Sequence, residues 1–464
     1  MFMIKEIWWN KRCYTRLIKE ILVNKAWQQK VIVPIFSRTY LAKTISEISK
    51  FEGKTIKLRG WIAKKRTLKG RIFLVLRDST GTVQTITEDK SKAYKTAEKI
   101  TTESSAFIRG KVVKDARAPG GYEVKVSDIH IVGLAETWPI ARDTSAEFLR
   151  DIRHLSLRDR KTQAMLKVRA ATFAAYHECM TGLGYMEHQS PSFTPTPGES
   201  GAETFEVKYF KEKAYLTQTW QLYAEAMLPI MEKIYCVAPA YRADKSMTSR
   251  HLTEFWMAEV ETAWQEFPEL LGMMEYIVKF ISTKVAKTCR KELIFLGQDP
   301  KYFATLPKFK RLKYREAISE LKKGGFKVKF GDDLGTVEEK YLVDKRKIPL
   351  FITHYPTKLK AFYMKRDPKD KSVVFASDLM LPGIGETIGS AERSTDFKDV
   401  KKRLKAAGED PKVYEWYFDV VSRYGAVPHS GFGLGMERLI MWFTGAESVK
   451  EVIAFPRTPT RFAP

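Results

Sequence analysis

Charged and aromatic residues that could bind a nucleotide are concentrated in residues 241–264, YRADKSMTSRHLTEFWMAEVETAW. The segment combines arginines, a histidine and glutamates with two aromatic rings: Arg242, Arg250, His251, Glu254, Phe255, Trp256, Glu259 and Glu261. A planar guanidinium can bind two phosphate oxygens at once, and an aromatic ring can stack on a base. The segment therefore predicts a polyphosphate or nucleotide site. A surface hairpin with paired charges is the alternative interpretation.

Two strands would position these residues. The stretches IYCVAPAYRA and EFWMAEVETAW alternate in character and are joined by a polar loop, which predicts a hairpin. Because side chains alternate along a strand, Phe255, Glu259 and Glu261 share one face. That face carries two carboxylates beside an aromatic ring, and Arg242 lies on the neighbouring strand.

Two glycine-containing stretches nearer the C-terminus could complete such a site. HSGFGLGMERLIMW, residues 429–442, has three glycines at alternate positions before Arg438 opens a helix. Glycine allows the backbone to approach a ligand closely. FASDLMLPGIGETIGSAER, residues 375–393, carries Asp378 and Glu386. This pair would suit a hard cation that bridges phosphate oxygens, with a pair of solvated loop acids as the alternative.

These stretches resemble signature motifs of the class II aminoacyl-tRNA synthetases, in their aspartyl/asparaginyl branch. RHLTEF, residues 250–255, matches motif 2 intact, whereas the preceding RAD ends on Asp244 where the family has glutamate. HSGFGLGMERLIMW resembles motif 3. GLGYMEHQSPSF, residues 182–193, resembles motif 1 and includes Pro191. FPRTP, residues 455–459, matches the family's C-terminus, so the resemblance covers about residues 50–464.

The resemblance implies that the chain binds ATP and Mg²⁺. Arg242 and Arg438 would be the catalytic residues, with Arg242 on the α-phosphate and the amino-acid carboxylate and Arg438 on the terminal phosphate. The other implied ATP-binding residues are Asp244, Arg250 and His251, with the last two at the outer phosphates, then Phe255 against adenine, and Glu386. Asp378 and Glu386 would hold the Mg²⁺.

The resemblance also implies that the amino acid is asparagine. Aspartyl enzymes of the branch have a lysine that pairs with the substrate carboxylate, whereas QTWQLYAEAM has Ala224 at that position, followed by Glu225. A carboxylate can accept a hydrogen bond from a side-chain amide but disfavours a second carboxylate. The other implied amino-acid-binding residues are Glu199, Gln218, Gln221, Arg393 and Gly433.

The implied function is ATP-dependent attachment of asparagine to its tRNA through an asparaginyl-adenylate, with release of pyrophosphate and AMP. An aspartyl enzyme, including one that charges both tRNAs, is the first alternative. A tRNA-independent asparagine synthetase on the same catalytic core is the second, and a non-enzymatic RNA-binding paralogue is the third. An N-terminal barrel argues against the second alternative, and the retained ATP-site residues argue against the third.

The pattern of elements predicts an α+β fold with two domains. Short strands separated by turns occupy residues 49–136 and predict a small antiparallel barrel. This barrel resembles the anticodon-binding OB-fold of the branch, in which Phe73 and Gln84 would read the central anticodon base. Residues 137–160 are predicted to be a hinge. Residues 161–464 are predicted to form the catalytic domain, an antiparallel sheet flanked by helices that include residues 162–184, 267–292 and 314–323.

Composition supports a nucleic-acid partner. The 80 Lys and Arg residues against 55 Asp and Glu give a net charge of +25. This favours a polyanion, which the resemblance identifies as asparagine-specific tRNA. The four cysteines form no CxxC pair, which argues against zinc and disulfides and for a reducing compartment, the cytoplasm. No apolar run is long enough to span a bilayer. The resemblance also implies a homodimer through the motif 1 region near Pro191.

The N-terminal residues 1–48 are predicted to be a basic extension. Eight Lys or Arg residues against two glutamates occur in the first forty positions. A nucleic-acid-binding arm, an organellar transit peptide and a start codon assigned too early are all consistent with this composition.

Overall fold

The computed structural model describes residues 43–89, 91–141, 143–195 and 203–464. The described residues form two compact units, which divide between Thr144 and Ser145. The division falls inside the predicted hinge, residues 137–160, and the chain is already helical from Ala146. Most of the predicted basic extension lies outside the described residues. Within the described ranges, no helix is long and apolar enough to cross a membrane.

The first unit contains a β-barrel. Its elements are β1 (Thr55–Leu68), β2 (Arg71–Asp78), β3 (Gly81–Glu88), α1 (Lys92–Lys99), β4 (Ser105–Lys114) and β5 (Tyr122–Gly133). These strands close in the order β1-β2-β3-β5-β4. Exposed and buried side chains alternate over the first half of β1, because successive strand side chains point to opposite faces. The inward set, which includes Leu58, Ile62 and Leu74, forms the barrel core, so the predicted OB-type barrel is present. It was predicted to be antiparallel throughout, but its β3–β5 pair is parallel.

The second unit is built on a large β-sheet. Its strands are β6 (Met186–Glu187), β7 (Phe193–Thr194), β8 (Glu206–Tyr209), β9 (Glu212–Leu216), β10 (Lys233–Tyr241), β11 (Glu254–Ala263), β12 (Lys310–Lys313), β13 (Leu350–Thr353), β14 (Ala376–Leu381), β15 (Gly385–Glu392) and β16 (His429–Gly435). Over the described residues the main sheet has the order β12-β13-β14-β15-β16-β11-β10-β6, and β7-β9-β8 form a separate small sheet. The central pairs are antiparallel, as predicted. The two edge pairs, β12–β13 and β10–β6, are parallel.

Helices accompany the sheet in the second unit. They are α2 (Ala146–Asp151), α3 (Arg153–Ser156), α4 (Arg160–Gly182), α5 (Gln221–Met227), α6 (Phe267–Thr288), α7 (Arg290–Phe295), α8 (Pro300–Ala304), α9 (Tyr314–Lys323), α10 (Thr336–Asp344), α11 (Phe397–Ala406), α12 (Glu415–Phe418) and α13 (Met436–Thr444). Short 3₁₀ segments occur at Ile45–Phe51, Pro119–Gly121, Thr357–Leu359, Pro411–Tyr414 and Val449–Glu451, and a π-helical turn at Asp419–Arg423. The helices predicted around residues 162–184, 267–292 and 314–323 correspond to α4, α6 with α7, and α9.

The main core lies between one face of the sheet and helices α4 and α6. Val168 of α4 and Ile277 of α6 belong to the same buried cluster as Ala258 and Val260 of β11. Asp159 begins α4, where its carboxylate accepts a hydrogen bond from the backbone N–H of Thr162 at 3.0 Å. Because Ala258 and Val260 face this core, the residues of β11 that alternate with them face the opposite side of the sheet.

Candidate active site

A cavity of about 440 Å³ lies over that opposite face of the sheet, along β11, β15 and β16. Glu259 and Glu261 of β11 line it, whereas Ala258 and Val260 are in the core. The alternation predicted for this strand therefore directs its charged residues into the cavity. The predicted site residues that line the cavity are Gln221, Arg242, Asp244, Arg250, His251, Phe255, Asp378, Glu386, Arg393, Gly433 and Arg438.

Cations surround Glu386 in one part of the cavity. Arg438, at the start of α13, donates to the backbone oxygen of Glu386 at 2.8 Å and to its carboxylate at 3.3 Å. The Arg242 guanidinium lies 5.5 Å from the centre of the Phe255 ring. Burial acts to raise the pKa of Glu386, but the charges of Arg438 and Lys360 outweigh it and the pKa is lowered. Several cations around one carboxylate are suited to binding further anionic oxygens, such as those of a polyphosphate.

His251 and Asp244 line the same cavity. His251 Nδ1 is 2.6 Å from the Thr248 hydroxyl, and burial together with Arg438 lowers the pKa of the imidazole. The ring is therefore neutral at neutral pH and can serve as either donor or acceptor. The Asp244 carboxylate accepts a hydrogen bond from the backbone N–H of Ser246 at 2.8 Å, and Ser246 lowers its pKa. Asp244 therefore stabilises the turn that follows β10.

Arg250 contacts α10. Its Nη1 donates to Glu339 Oε2 at 2.6 Å and to the backbone oxygen of Ile384 at 3.0 Å, and its Nη2 donates to Thr336 Oγ1 at 2.9 Å. Arg250 thereby joins α10 to the turn between β14 and β15. The predicted contact of Arg250 with outer phosphates remains a prediction. Glu339 was not predicted from the sequence, because it lies 89 residues from Arg250 in a segment without a recognisable motif.

Asp378 and Glu386, the predicted Mg²⁺ ligands, lie close together over Gly389. A Cβ added to Gly389 would be 3.5 Å from Glu386 Oε1 and 3.9 Å from Asp378 Oδ1. Lys360, which the sequence analysis missed, donates to both Asp378 oxygens at 2.9 and 2.7 Å. Over the described residues, no three or more histidine, cysteine, aspartate or glutamate side chains form a metal-binding group. Mg²⁺ commonly takes one or two carboxylates and completes its shell with substrate phosphates and water, so this pair fits an ion that arrives with ATP.

Arg393 and Glu261 form a buried ion pair in another part of the cavity. Two guanidinium nitrogens of Arg393 donate to the Glu261 carboxylate, and the Arg393 guanidinium lies 5.2 Å from the centre of the Tyr363 ring. Glu261 is opposite Gly431 near the start of β16, whereas Arg438 follows the end of that strand. Burial raises the pKa of Glu261 to about 7, although Arg393 opposes the rise. The alternation of β11 predicted the face on which Glu261 lies, but Glu261 was not predicted as a site residue.

Glu259, the second carboxylate of β11, holds the start of α5. Thr219 Oγ1 donates to Glu259 Oε1 at 2.6 Å, and the backbone N–H of Trp220 donates to Oε2 at 2.7 Å. The backbone N–H of Gln221 donates to the same Thr219 hydroxyl at 3.1 Å. These contacts position the first turn of α5, where Gln221 lines the cavity. Glu259 lies opposite Gly433 in the β11–β16 pairing.

Glu225 is buried behind Gln221 and is not part of the cavity wall. The residue is 1% exposed. Its Oε1 accepts a hydrogen bond from Gln221 Nε2 at 2.8 Å, and its Oε2 is 2.8 Å from the Tyr417 hydroxyl and 3.0 Å from His429 Nε2. Glu225 therefore does not face solvent on its helix. Its direct contact with a substrate amide remains a prediction.

Of the other predicted residues of the second unit, those that the structure describes do not line this cavity. Gln218 is buried, and its Nε2 donates to the backbone oxygen of Glu203 at 3.3 Å. Glu199 falls outside the described residues. Pro191 is exposed between β6 and β7, after α4 has run into β6 in the order that motif 1 predicts.

Phe73 and Gln84 lie on the outer surface of the barrel. Phe73 is half-buried, and the Arg66 guanidinium lies 5.0 Å from the centre of its ring. Gln84 Nε2 donates to Glu123 Oε2 at 3.1 Å. Gln84 is opposite Val75 on β2, and Val75 is two positions from Phe73. Alternation therefore places Phe73 and Gln84 on the same face as diagonal neighbours.

Two family models match the chain. Residues 145–459 match the model of tRNA synthetases class II (D, K and N), and residues 56–132 match the OB-fold nucleic acid binding domain. An asparagine–tRNA ligase of Thermococcus gammatolerans is 40% identical over 417 residues, which are 89% of this chain and 97% of that protein. The barrel and the sheet unit thus match separate models.

Solved structures with the same fold include both asparaginyl and aspartyl enzymes. The asparaginyl-tRNA synthetase from Pyrococcus horikoshii complexed with asparaginyl-adenylate has a TM-score of 0.87 at 39% identity, covering 91% of this chain and 99% of that chain. An aspartyl-tRNA synthetase from Entamoeba histolytica has a TM-score of 0.80 at 26% identity, covering 91% of this chain and 93% of that chain. The sequence identity is higher to the asparaginyl enzyme.

Proposed function

The chain belongs to the class II tRNA synthetases of the D, K and N group, and we propose that it attaches asparagine to tRNA. The asparagine carboxylate attacks the α-phosphorus of ATP, which gives asparaginyl-adenylate and pyrophosphate. A hydroxyl of the 3′-terminal ribose of tRNA then attacks the adenylate carbonyl, which gives asparaginyl-tRNA and AMP. The observation that carries this proposal is a single cavity that contains both the arginines around Glu386 and the buried Arg393–Glu261 pair.

The arginines bind and orient the triphosphate. Arg242 and Arg438 place positive charge where the transition state gathers negative charge on phosphate oxygens. No side chain needs to act as a nucleophile, so alignment of the two substrates is the other main contribution. Phe255 offers a ring face to adenine. Asp378 and Glu386 would hold the Mg²⁺ that accompanies ATP, where it adds further neutralisation of phosphate charge.

Buried charge around Arg393 favours asparagine over aspartate. Arg393 is already paired with Glu261. Burial acts to lower the pKa of the Arg393 guanidinium, but the charges of Glu261 and the nearby Glu225 outweigh it and the pKa is raised. A bound aspartate would bring another carboxylate to Arg393, whose charge Glu261 already neutralises. Like charges held close in a region of low dielectric repel strongly. Asparagine offers an oxygen to Arg393 and an N–H to a neighbouring acceptor without adding charge.

The barrel is proposed to recognise the anticodon of asparagine-specific tRNA. The exposed part of the Phe73 ring offers a surface on which an unstacked base can lie, with Gln84 beside it to bond the edge of that base. An enzyme that only synthesises free asparagine would not need this module. The barrel therefore supports tRNA as the acceptor.

We also propose a homodimer formed through the surface near Pro191. Phe193, Tyr209 and Phe210 are exposed there, with ring centres 5.9 Å apart for the first pair and 5.0 Å for the second. An exposed cluster of large apolar side chains is typical of an interface. Replacing Phe193 with glutamate should then give monomers in sedimentation experiments.

A cytoplasmic location is proposed because the described cysteines, Cys179, Cys236 and Cys289, are free thiols.

ATP–pyrophosphate exchange tests the proposed function. Wild-type protein should catalyse exchange with asparagine and much less with aspartate, and it should charge asparagine-specific tRNA. Faster exchange with aspartate would make the chain an aspartyl enzyme. Exchange with aspartate but no charging of any tRNA would favour the tRNA-independent synthetase instead, because that enzyme activates the side-chain carboxylate of aspartate.

A further inference from the structure

A network of buried hydrogen bonds lies behind the cavity, and these bonds have no part in the chemistry proposed above. We call it the Glu225 network: the Glu225 carboxylate and its partners Gln221, Tyr417 and His429. The three partners come from α5, α12 and β16, and the partner from β16 is 204 residues from Glu225. Of these residues, Gln221 alone lines the cavity. The network therefore connects the cavity wall to residues that lie behind it.

The geometry gives His429 two hydrogen-bond donors. Its Nδ1 is 2.7 Å from the backbone oxygen of Val427, which can only accept. Its Nε2 is 3.0 Å from Glu225 Oε2, and a carboxylate also accepts. An imidazole that donates from both nitrogens is an imidazolium, so His429 and Glu225 form a buried ion pair. The side chains are 4% and 0% exposed, so solvent does not screen this pair.

Tyr417 and His429 together determine which oxygen of Glu225 remains for Gln221. Both bond to Oε2, so Oε1 is left to accept from Gln221 Nε2 at 2.8 Å. Because the carboxylate cannot donate, the amide of Gln221 must turn its nitrogen towards Glu225. The carbonyl oxygen of that amide is then not bonded to Glu225, and Gln221 itself lines the cavity.

We infer that His429 and Tyr417 are positioning residues for amino-acid selection: they hold Glu225 as an anion that turns the carbonyl oxygen of Gln221 towards the substrate side chain. This inference rests on the proposed function and adds to it the residues that set the specificity. The amide nitrogen of asparagine can donate to that carbonyl oxygen, while Arg393 donates to the amide oxygen. An aspartate side chain has no N–H to donate and leaves the carbonyl oxygen of Gln221 unpaired.

Two tyrosines on neighbouring turns provide a matched test. Tyr417→Phe removes the hydroxyl that bonds Glu225, whereas Tyr414→Phe removes a buried hydroxyl with no hydrogen-bond partner in the described part of the chain. Both side chains are almost completely buried, so each change removes the same hydroxyl group from an equally buried position. The measurement is kcat/KM for ATP–pyrophosphate exchange with asparagine and with aspartate. Tyr417→Phe should lower the asparagine-to-aspartate ratio about tenfold, as expected for the loss of a hydrogen bond to a charged group.

Tyr414→Phe is the control against which the effect of Tyr417→Phe is compared. Tyr414→Phe should leave the ratio unchanged, and both variants should keep the wild-type KM for ATP. His429→Gln, which keeps a donor but removes the charge, should lower the ratio in the same direction as Tyr417→Phe. The inference is overturned if the ratio is unchanged in Tyr417→Phe or His429→Gln, or if it falls equally in Tyr414→Phe. In either case, asparagine-dependent exchange still supports the proposed function. A wild-type preference for aspartate would instead overturn the proposed function itself.

Discussion

Removing one arginine from the cavity should prevent adenylate formation. Arg438→Ala removes the cation that lies 3.3 Å from the Glu386 carboxylate, and with it a positive charge of the proposed phosphate site. Arg242→Ala should have a similar effect. The expected loss of transition-state stabilisation is about 3–5 kcal/mol. ATP–pyrophosphate exchange measures it, and circular dichroism checks that the variants fold. The exposed Arg290 gives the control, since Arg290→Ala should keep wild-type exchange. Near-normal exchange in Arg438→Ala would contradict the assigned role.

The raised pKa of Glu261 predicts how asparagine binding depends on pH. Burial raises this pKa to about 7, so the carboxylate takes up a proton as the pH falls through that value. Arg393 then loses its charged partner, and the KM for asparagine should rise below about pH 7 while the KM for ATP does not follow. The folded state binds this proton more tightly than the unfolded state. Stability therefore increases as the pH falls from about 7 towards the ordinary glutamate pKa, so weaker binding would not reflect unfolding. The same KM profile in Glu261→Gln would rule out Glu261 as its source.

The pairing of β11 with β16 depends on a glycine. A Cβ added to Gly431 would lie 2.1 Å from Glu261 Oε1 and 2.3 Å from the backbone oxygen of Val260. A carboxylate side chain can rotate away but the backbone carbonyl of a paired strand cannot, so the two strands would have to separate. Gly431→Ala should lower the free energy of unfolding by about 1–3 kcal/mol and weaken asparagine activation, because Glu261 is displaced with the strand.

Denaturant unfolding measures this effect, and a helical glycine supplies the control. An added Cβ at Gly272 in α6 meets no atom within 4 Å. Gly272→Ala should therefore leave stability unchanged or raise it by up to about 1 kcal/mol. An unchanged unfolding midpoint in Gly431→Ala would show that β16 can shift without cost.

The division of the chain into two compact units predicts that tRNA charging and amino-acid activation can be separated. Phe73→Ala and Gln84→Ala on the barrel should each weaken tRNA charging and leave ATP–pyrophosphate exchange intact. A stacked base contributes about 1–3 kcal/mol, which would appear as a higher KM for tRNA. Phe107→Ala is the matched control, since Phe107 is a half-buried ring on β4, a strand that pairs with neither β2 nor β3. Loss of exchange in the Phe73 or Gln84 variant would contradict the predicted role.

Most elements of the fold could be predicted from the sequence, because helix and strand patterns repeat over a few residues. The alternation of β11 correctly predicted that Glu259 and Glu261 share a face opposite Ala258 and Val260. The helical spacing of apolar residues gave α4 and α9. Eleven of the predicted site residues line one cavity, because their motifs lie on adjacent strands of the sheet and on the elements that follow them. The parallel edge pairs were not predicted, since strand direction at an edge depends on the path of the intervening chain.

The tertiary structure alone decided which groups neutralise the charges of the site. Lys360 binds Asp378 from 18 residues away, Glu339 binds Arg250 from 89, and His429 binds Glu225 from 204. No local sequence pattern predicts such partners, because a buried charge can be paired by any residue of opposite charge that the fold brings within hydrogen-bond distance. Glu225 shows the consequence. The motif around it predicted an amino-acid-binding residue, which stays a prediction, whereas its burial and its three hydrogen bonds come from α5, α12 and β16 packing together.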